Sequence, residues 1–293
     1  MSAFVKFFST PKGSRNIVRS LLNHPNHINI QASKFTENDV KALRVNFKPA
    51  SEDLVIPDEK IEDFPENFIC PKINRDVLSK EEFEVREISD FSGGLVQTFF
   101  DKLHFVTRSP PGIPESSTDD LVDDLLRIAR LNNYPFKIAF FKIRLHSPSK
   151  LYILNEPYVS ATPDFVVKKG TISMVATEDK SLRNVDPKNH YGEMQIAGEI
   201  LACGDENIRE TGEISDQVLF AVRFISTYVT FYKAKIPVKY WKELGKGLPK
   251  KYSVAIKRWP GENKKLSGLD LANPEGRIAV LTALSKIRQF LLK

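Results

Sequence analysis

Cysteine is scarce in this 293-residue chain, where Cys70 and Cys203 are the only two. Two thiols are too few for a disulfide framework or a cysteine-rich zinc site, so we expect a reducing compartment. The histidines show neither HExxH nor HxxxH spacing, which argues against a zinc centre built on histidine. They are His24, His27, His104, His146 and His190.

Long apolar runs are also lacking. None approaches the roughly 20 residues that a helix needs to cross a bilayer, so the sequence predicts no membrane span and no membrane partner. Hydrophobic residues make up 41% of the chain and charged residues 27%. These values are typical of a globular protein, and the length allows one large domain or two modest ones.

Acidic residues are missing from the first 36 positions, which carry a net charge of +5. Residues 233–293 carry +11, so the whole-chain charge of +6 leaves −10 for the middle. Basic ends around an acidic middle could grip a polyanion beside a bound cation. The alternative is that the lysines only solvate exposed helices and loops.

The acid-free N-terminus bears on localisation. Residues 1–30 have the composition of a mitochondrial targeting segment, and they equally suit a basic arm or a surface helix. We expect an intracellular protein, nuclear or cytoplasmic, with mitochondrial import left open.

Turn-forming residues divide the chain at Ser109-Pro110-Pro111-Gly112. We therefore predict an N-terminal region of unclear role over residues 1–108 and a second domain over residues 109–293, which ends in a basic segment. The second domain shows alternating helix and strand patterns, which predict an α/β fold with a mixed central sheet flanked by helices.

The predicted elements of this second domain follow one another closely. Lys168-Lys169-Gly170-Thr171 is a hairpin signal between two of the strands. The order is a helix from Ser117 or Thr118, strands over 136–145, 161–167 and 172–177, a helix over 190–203 capped by Gly204, one strand or two paired strands over 217–232, and a last helix after Asn273-Pro274.

Two acids and an amine stand on either side of the predicted hairpin. Asp164 follows Thr162-Pro163, and Glu178-Asp179-Lys180 comes about fourteen positions later. If the chain turns near Gly170, Asp164 and Glu178 lie within reach of each other on neighbouring strands. The alternation of side chains along a strand puts Glu178 and Lys180 on one face. Carboxylates beside an amine are the donor set of a hydrolytic magnesium site.

This pattern resembles the PD-(D/E)xK superfamily of nucleases, which includes restriction endonucleases and recombination exonucleases. The resemblance covers about residues 109–236, and it implies a restriction-endonuclease-like core. It also implies that Asp164 and Glu178 are ligands of Mg²⁺ or Mn²⁺, that Lys180 is the catalytic lysine, and that the carbonyl of Asp179 is a further ligand.

The resemblance suggests two further catalytic residues. Some branches of the superfamily place a glutamine in the helix after the lysine, where this chain has Gln195, with Tyr191 and Glu199 four residues to either side. Many members carry an acid near the first helix. Glu115 fits that role, but Asp120 and Asp124 compete with it. A structural ion pair between Lys180 and the two acids is the alternative to the whole site.

The segment from residue 232 to 265 is basic, and Tyr240, Trp241, Tyr252 and Trp259 lie within it. Lysines could neutralise phosphates and exposed aromatic rings could stack on bases, whereas either tryptophan could equally belong to the core. The candidate nucleic-acid-binding residues are Lys239, Lys242, Lys246, Lys250, Lys251, Lys257 and Arg258.

Together these patterns predict a magnesium-dependent nuclease that hydrolyses phosphodiester bonds of DNA or RNA, with DNA favoured. A catalytically inactive nuclease fold that binds nucleic acid or protein, as an effector does, is the alternative, and a purely structural scaffold is a third interpretation. Endonuclease or exonuclease action, sequence preference and homodimer formation stay open.

Overall fold

The computed structural model describes residues 28–83, 94–108, 116–132, 141–179, 190–264 and 266–293, without the side chains of residues 116, 173 and 175–179. Within these ranges eight α-helices follow one another. They are α1 (Glu37–Ala42), α2 (Glu52–Val55), α3 (Arg75–Leu78), α4 (Gly94–Arg108), α5 (Ser116–Ile128), α6 (Glu193–Thr211), α7 (Val238–Leu244) and α8 (Pro274–Leu292). Short 3-10 turns cover Ala32–Lys34 and Glu66–Phe68. None of the described helices is both long and apolar enough to cross a membrane.

The described ranges also contain ten strands. They are β1 (Val45–Pro49), β2 (Lys142–Leu145), β3 (Ser149–Ile153), β4 (Glu156–Ala161), β5 (Phe165–Lys169), β6 (Thr171–Asp179), β7 (Gln217–Ile225), β8 (Tyr228–Ile236), β9 (Val254–Trp259) and β10 (Leu269–Asp270). The main sheet has the order β1-β9-β8-β7-β6-β5-β2, and β10 also pairs with β8. Strands β3 and β4 form a separate hairpin.

The main sheet is mixed, as the sequence predicted. Strand β6 runs parallel to β7, and β1 runs parallel to β9, whereas the other neighbours in the sheet are antiparallel. Helix α6 connects β6 to β7, because a parallel pair needs a crossover. The prediction of a mixed sheet flanked by helices is therefore confirmed.

Each face of the sheet has its own hydrophobic core, because side chains alternate along a strand. On β7, Leu219 and Ala221 pack with α6, whereas Phe220 and Val222 pack into the core that contains α4, α5 and α8. Residues that project from the same face of the sheet thus belong to the same core. Helices cover both faces of the sheet.

The hairpin predicted at Gly170 is confirmed, and of the two alternatives for the run after Gln217 the structure shows the paired strands. Strands β5 and β6 turn at Gly170, which has a φ of 74° that glycine adopts without strain. The apolar run from Gln217 consists of β7 and β8, which are paired over their whole length and joined at Ser226-Thr227. Of the strand predicted over residues 136–145, the structure describes the last four as β2, and residues 133–140 lie outside the described ranges.

The predicted end of the helix at Gly204 is wrong. Helix α6 continues to Thr211, and Gly212, with a φ of 72°, follows it as the C-cap. Gly204 serves close packing instead, because a Cβ at this position would lie 2.7 Å from Cζ2 of Trp241. The pattern identified a glycine that the fold needs, but for a different reason.

Residues before position 108 take part in the same sheet and cores. Strand β1 pairs with β9, α1 packs against α6, and Phe99 and Leu103 of α4 belong to the core that contains α5 and α8. Tyr240 also donates a hydrogen bond to the carbonyl of Leu43 at 2.9 Å. Contacts between residues about 200 positions apart therefore join the early and late parts of the described chain.

Candidate functional site

The hairpin of β5 and β6 brings the backbones of the predicted acidic residues to one end of the sheet. Phe165 pairs with Ala176, so Asp164 stands one residue before this pair and Glu178 two residues beyond it. Glu178 and Asp179 in turn pair with Phe224 and Ile225 at the end of β7. The register therefore describes how near the backbones of the two acidic positions are, and it leaves the meeting of their side chains as a prediction.

Asp164 occupies a partly enclosed position at this end of the hairpin. Its carboxylate is 25% exposed, and Oδ1 lies 3.9 Å from Nδ1 of His146. The backbone carbonyl of Asp164 also accepts a hydrogen bond from the amide of His146 at 2.9 Å. His146 therefore belongs to the candidate site, although its spacing from the other histidines gave no signal. The antiparallel pairing of β2 with β5 explains its place, since Leu145 pairs with Phe165.

The other predicted catalytic groups are only partly described. The structure gives the backbones of Glu178 and Asp179 but not their side chains, and Lys180 and Glu115 lie outside the described residues. Among the side chains that are described, no three histidine, cysteine or acidic groups come together as a metal site. The convergence of Asp164, Glu178 and Lys180 stays a prediction.

The two acids that competed with Glu115 lie on α5. Asp124 forms an ion pair with Lys102 of α4, with 2.6 Å between Oδ2 and Nζ. The backbone carbonyl of Asp120 accepts from the same amine at 3.3 Å. Lys102 thus connects α4 to α5, and the carboxylate of Asp124 takes part in helix packing.

Helix α6 carries the predicted glutamine. Nε2 of Gln195 donates to Oε1 of Glu199 at 2.8 Å, and Glu199 is only 1% exposed. The spacing of four residues predicts one helical face for Tyr191, Gln195 and Glu199. This prediction is wrong for Tyr191, which lies before the first turn with a φ of 54°. Gln195 is held by a buried neighbour, which fixes its side chain.

A buried ionic layer supports the start of α6. Arg258 of β9 donates to the carboxylate of Glu193 at 2.5 Å, and both side chains are at most 10% exposed. Arg223 of β7 is fully buried and donates to the carbonyl of Tyr191 and, at 2.9 Å, to Oδ1 of Asn263. These contacts attach the start of the helix to three other segments of the chain.

The sequence interpretation missed Arg223 and Glu193 as parts of this layer. Arg223 is the one cation in the nine residues of β7, where every other residue but Gln217 is apolar. It also pairs with Thr177 of β6, next to the position of Glu178. A cation within an otherwise apolar strand was the signal that could have identified it.

The predicted nucleic-acid-binding residues lie in three different places. The exposed ones surround α7 and Tyr252, and the amines of Lys239 and Lys251 lie 5.8 and 5.6 Å from the centre of that ring. Lys257 faces a groove on the other side of β9, and the guanidinium of Arg258 is occupied by Glu193 and by the carbonyl of Gly261. The exposed lysines are Lys239, Lys242, Lys246, Lys250 and Lys251.

The aromatic residues of the basic segment pack largely into the protein. Tyr240 and Trp241 are buried against α6 and the sheet, and Trp259 is partly buried, 6.0 Å from Phe231 between ring centres. Tyr252 is the partly exposed ring among the surface lysines. The core interpretation is therefore correct for Trp241.

In comparisons with known proteins, no protein-family model matches this chain and no curated protein matches its sequence. The arrangement of its own residues is thus the basis for assigning a function.

Proposed function

We propose that this protein is a metal-dependent nuclease whose active centre lies where β5 begins and β6 ends. The observation that carries the proposal is the register of the hairpin, in which Phe165 pairs with Ala176 and Asp164 and Glu178 flank that pair. Apart from the β3-β4 hairpin between β2 and β5, the order α5, β2, β5, β6, α6, β7, with β6 and β7 parallel, is the one that the restriction-endonuclease-like core of the sequence prediction requires.

The donor chemistry of these residues fits Mg²⁺ or Mn²⁺. Carboxylate oxygens are the ligands that these hard cations prefer, and Asp164 offers one in a partly enclosed position beside His146. Asp164 and Glu178 would hold the ion, with the carbonyl of Asp179 as a further oxygen donor. When bound, such an ion supplies positive charge that stabilises a phosphodiester undergoing attack by water.

The protein's own residues would position the reactants. Lys180 would place a positive charge beside the phosphate as a bond from water oxygen to phosphorus forms and the bond to the leaving oxygen breaks, with a proton passing to that oxygen. Gln195, fixed by Glu199, stands on the helix that follows and would orient the water or the phosphate. The buried pair of Arg258 and Glu193 keeps the start of that helix in place.

Cleavage assays with the full chain test this proposal. Plasmid DNA, single-stranded DNA and RNA are incubated with Mg²⁺, Mn²⁺ or EDTA. We expect metal-dependent cleavage that falls by about 10²-fold or more in Lys180→Ala and Asp164→Asn, the scale on which loss of one transition-state contact acts. Lys80→Ala and Asp58→Asn, exposed residues elsewhere on the protein, are matched controls and should cleave like the wild type.

A folded protein that cleaves none of these substrates with either metal would refute the nuclease proposal. The exposed lysines around Tyr252 favour an inactive nucleic-acid-binding fold as the second candidate. That protein would bind an oligonucleotide with an affinity that falls steeply as the salt concentration rises. The double variant Lys239→Ala with Lys251→Ala would reduce the slope of log affinity against log salt concentration.

A further inference from the structure

A groove of about 490 Å³ opens on the sheet where β7 begins and β8 ends. It lies away from the candidate active centre, since β7 enters the groove at Val218 and reaches the acidic end at Phe224. Six residues of strand span roughly 20 Å. Three lysines line the groove together with apolar side chains, which include Leu54, Val218, Ile236, Pro237 and Ala255.

The lysines are aligned by the strand register. Lys257 of β9 pairs with Lys48 of β1 on one side and with Lys233 of β8 on the other. Directly paired residues share a face of the sheet with Cβ atoms about 5 Å apart, and like charges in such pairs destabilise the sheet. Lys235 stands two residues from Lys233 and therefore projects from the same face. The fold thus concentrates positive charge at one place.

Among the described residues, acids offset the charge of this cluster only in part. Within the part of the chain that the structure describes, none of the amines of Lys48, Lys233, Lys235 and Lys257 forms an ion pair with a carboxylate. Asp216 also lines the groove, where its Oδ1 accepts the backbone N–H of Val238 at 2.6 Å, and its one negative charge against three lysines leaves the lining with a formal charge of +2. Partial burial lowers the pKa of Lys233, and the neighbouring charges of Lys235 and Lys257 lower it further.

The shape and chemistry of the groove indicate what would satisfy these amines. Lysine ammonium groups are compact charges that suit phosphate oxygens, and a cavity of this size matches pockets for small molecules, roughly 300–1,000 Å³. The neighbouring strands β7, β8 and β9 form its floor, and Leu54 of α2 lies at its side. The apolar lining beside the lysines suits a ligand with one charged end and one apolar end.

We infer that this groove binds a small ligand bearing two or more phosphate groups, which Lys233, Lys235 and Lys257 contact while Val218 and Ala255 contact its apolar part. This site is additional to the proposed nuclease centre and does not depend on it. The exposed lysines around Tyr252 are not among the residues that line the groove, and the ligand inferred for the groove is a small molecule and not an extended nucleic acid strand.

Binding measurements in EDTA test the inference without any contribution from a metal. Inorganic pyrophosphate, ADP, adenosine and a 20-nucleotide DNA strand are titrated by calorimetry, and thermal shifts are recorded. We expect pyrophosphate and ADP to bind and to raise the melting temperature, and adenosine to do neither. Lys233→Met with Lys257→Met should weaken both phosphate ligands at least ten-fold.

The matched control is Lys72→Met with Lys80→Met, which removes two exposed lysines outside the groove and should bind like the wild type. Since the groove variant relieves repulsion, its melting temperature without ligand should not fall, which excludes misfolding as the cause of weaker binding. Failure of pyrophosphate and ADP to bind, equal affinity in the groove variant, or binding of the DNA strand alone would each overturn the inference. A chain without nuclease activity that still binds ADP would leave it intact.

Discussion

Arg277 in the core and the lysines of the groove hold positive charge in opposite ways. Arg277 is fully buried, and its guanidinium donates to the backbone carbonyls of Ile69, Cys70, Ile73 and Leu271. Its Cζ also lies 5.1 Å from the centre of the Phe100 ring. Burial lowers the pKa of Arg277 to about 10, so it stays charged at neutral pH.

Within the described ranges, the amines of the groove lysines donate to no backbone carbonyl. They line a cavity, and although the amine of Lys233 lies 5.6 Å from the centre of the Phe220 ring, the charges of Lys235 and Lys257 oppose its own. The number of fixed acceptors around a cation therefore distinguishes a charge with a structural role from a charge that is available to a ligand. A structural cation should cost much stability when removed, whereas removal of an available one should cost none.

The largest effect is expected for Arg277→Met. The substitution leaves several buried carbonyl oxygens without a donor, and each unsatisfied buried group costs about 1–3 kcal/mol, so we expect a loss of more than ~4 kcal/mol. Unfolding in urea measures it. Arg127→Met, an exposed i,i+4 partner of Asp123, should change stability by less than ~0.5 kcal/mol. A loss below ~1 kcal/mol for Arg277→Met would mean that the carbonyl acceptors around Arg277 do not make it a structural cation.

Arg258→Met should come next. Glu193, only 2% exposed, would keep a buried charge without its partner, and breaking a buried pair in this way costs about 3–5 kcal/mol. The double variant Arg258→Met with Glu193→Leu removes both charges and should recover most of the loss in urea unfolding. A double variant as unstable as the single one would mean that Arg258 acts through packing and not through charge.

Asp205 is a buried acid, and its burial can be compared with that of the two arginines. It accepts the amide of Tyr152 at 2.5 Å and lies 3.6 Å from Arg209, yet burial raises its pKa to about 6 from 3.8. The folded state therefore binds more protons between these values, so this group's contribution to stability falls as pH rises from 4 to 6.

Asp205→Asn removes this titration and can still accept the hydrogen bond. We expect nearly equal stabilities near pH 4 and an advantage for the variant of about 3 kcal/mol above pH 6, since the pKa rises by about two units and each unit corresponds to about 1.4 kcal/mol. Urea unfolding at a series of pH values gives the two curves. Parallel curves for the wild type and the variant would show that Asp205 titrates normally.

Local patterns predicted the elements of the fold but not the roles of the charges. The hairpin at Gly170 depends on neighbours in sequence and was predicted with small errors in its bounds, whereas the run after Gln217 was left open between one strand and the two paired strands that form. The pairing of β1 with β9 joins residues about 200 positions apart, which no local periodicity encodes.

The same limit explains why the basic residues were treated as one group. Lys257 and Arg258 are adjacent in sequence, but alternation along β9 sends the first into the groove and the second to Glu193. Both side chains carry one positive charge. The face of β9 from which each side chain projects determines whether it meets an acceptor. For the candidate site, the sequence supplied Asp164 and the hairpin register, whereas the neighbouring His146 depended on the pairing of β2 with β5.

The smallest effect on stability is expected for Lys233→Met. The sign of this change tests whether the groove lysines differ from Arg277. Because the fold lowers the pKa of Lys233, the charged amine opposes folding at neutral pH, so its removal should stabilise the protein. The gain should stay under ~1 kcal/mol, since the side chain is partly exposed and screened by solvent. It should shrink in 1 M salt and vanish as pH rises through the lowered pKa towards 10.5, where the wild-type amine is neutral in both states. Urea unfolding at neutral and alkaline pH measures this difference, with Lys80→Met as the control. A loss of stability at neutral pH would mean that Lys233 already has acceptors, and the groove would then resemble the surroundings of Arg277.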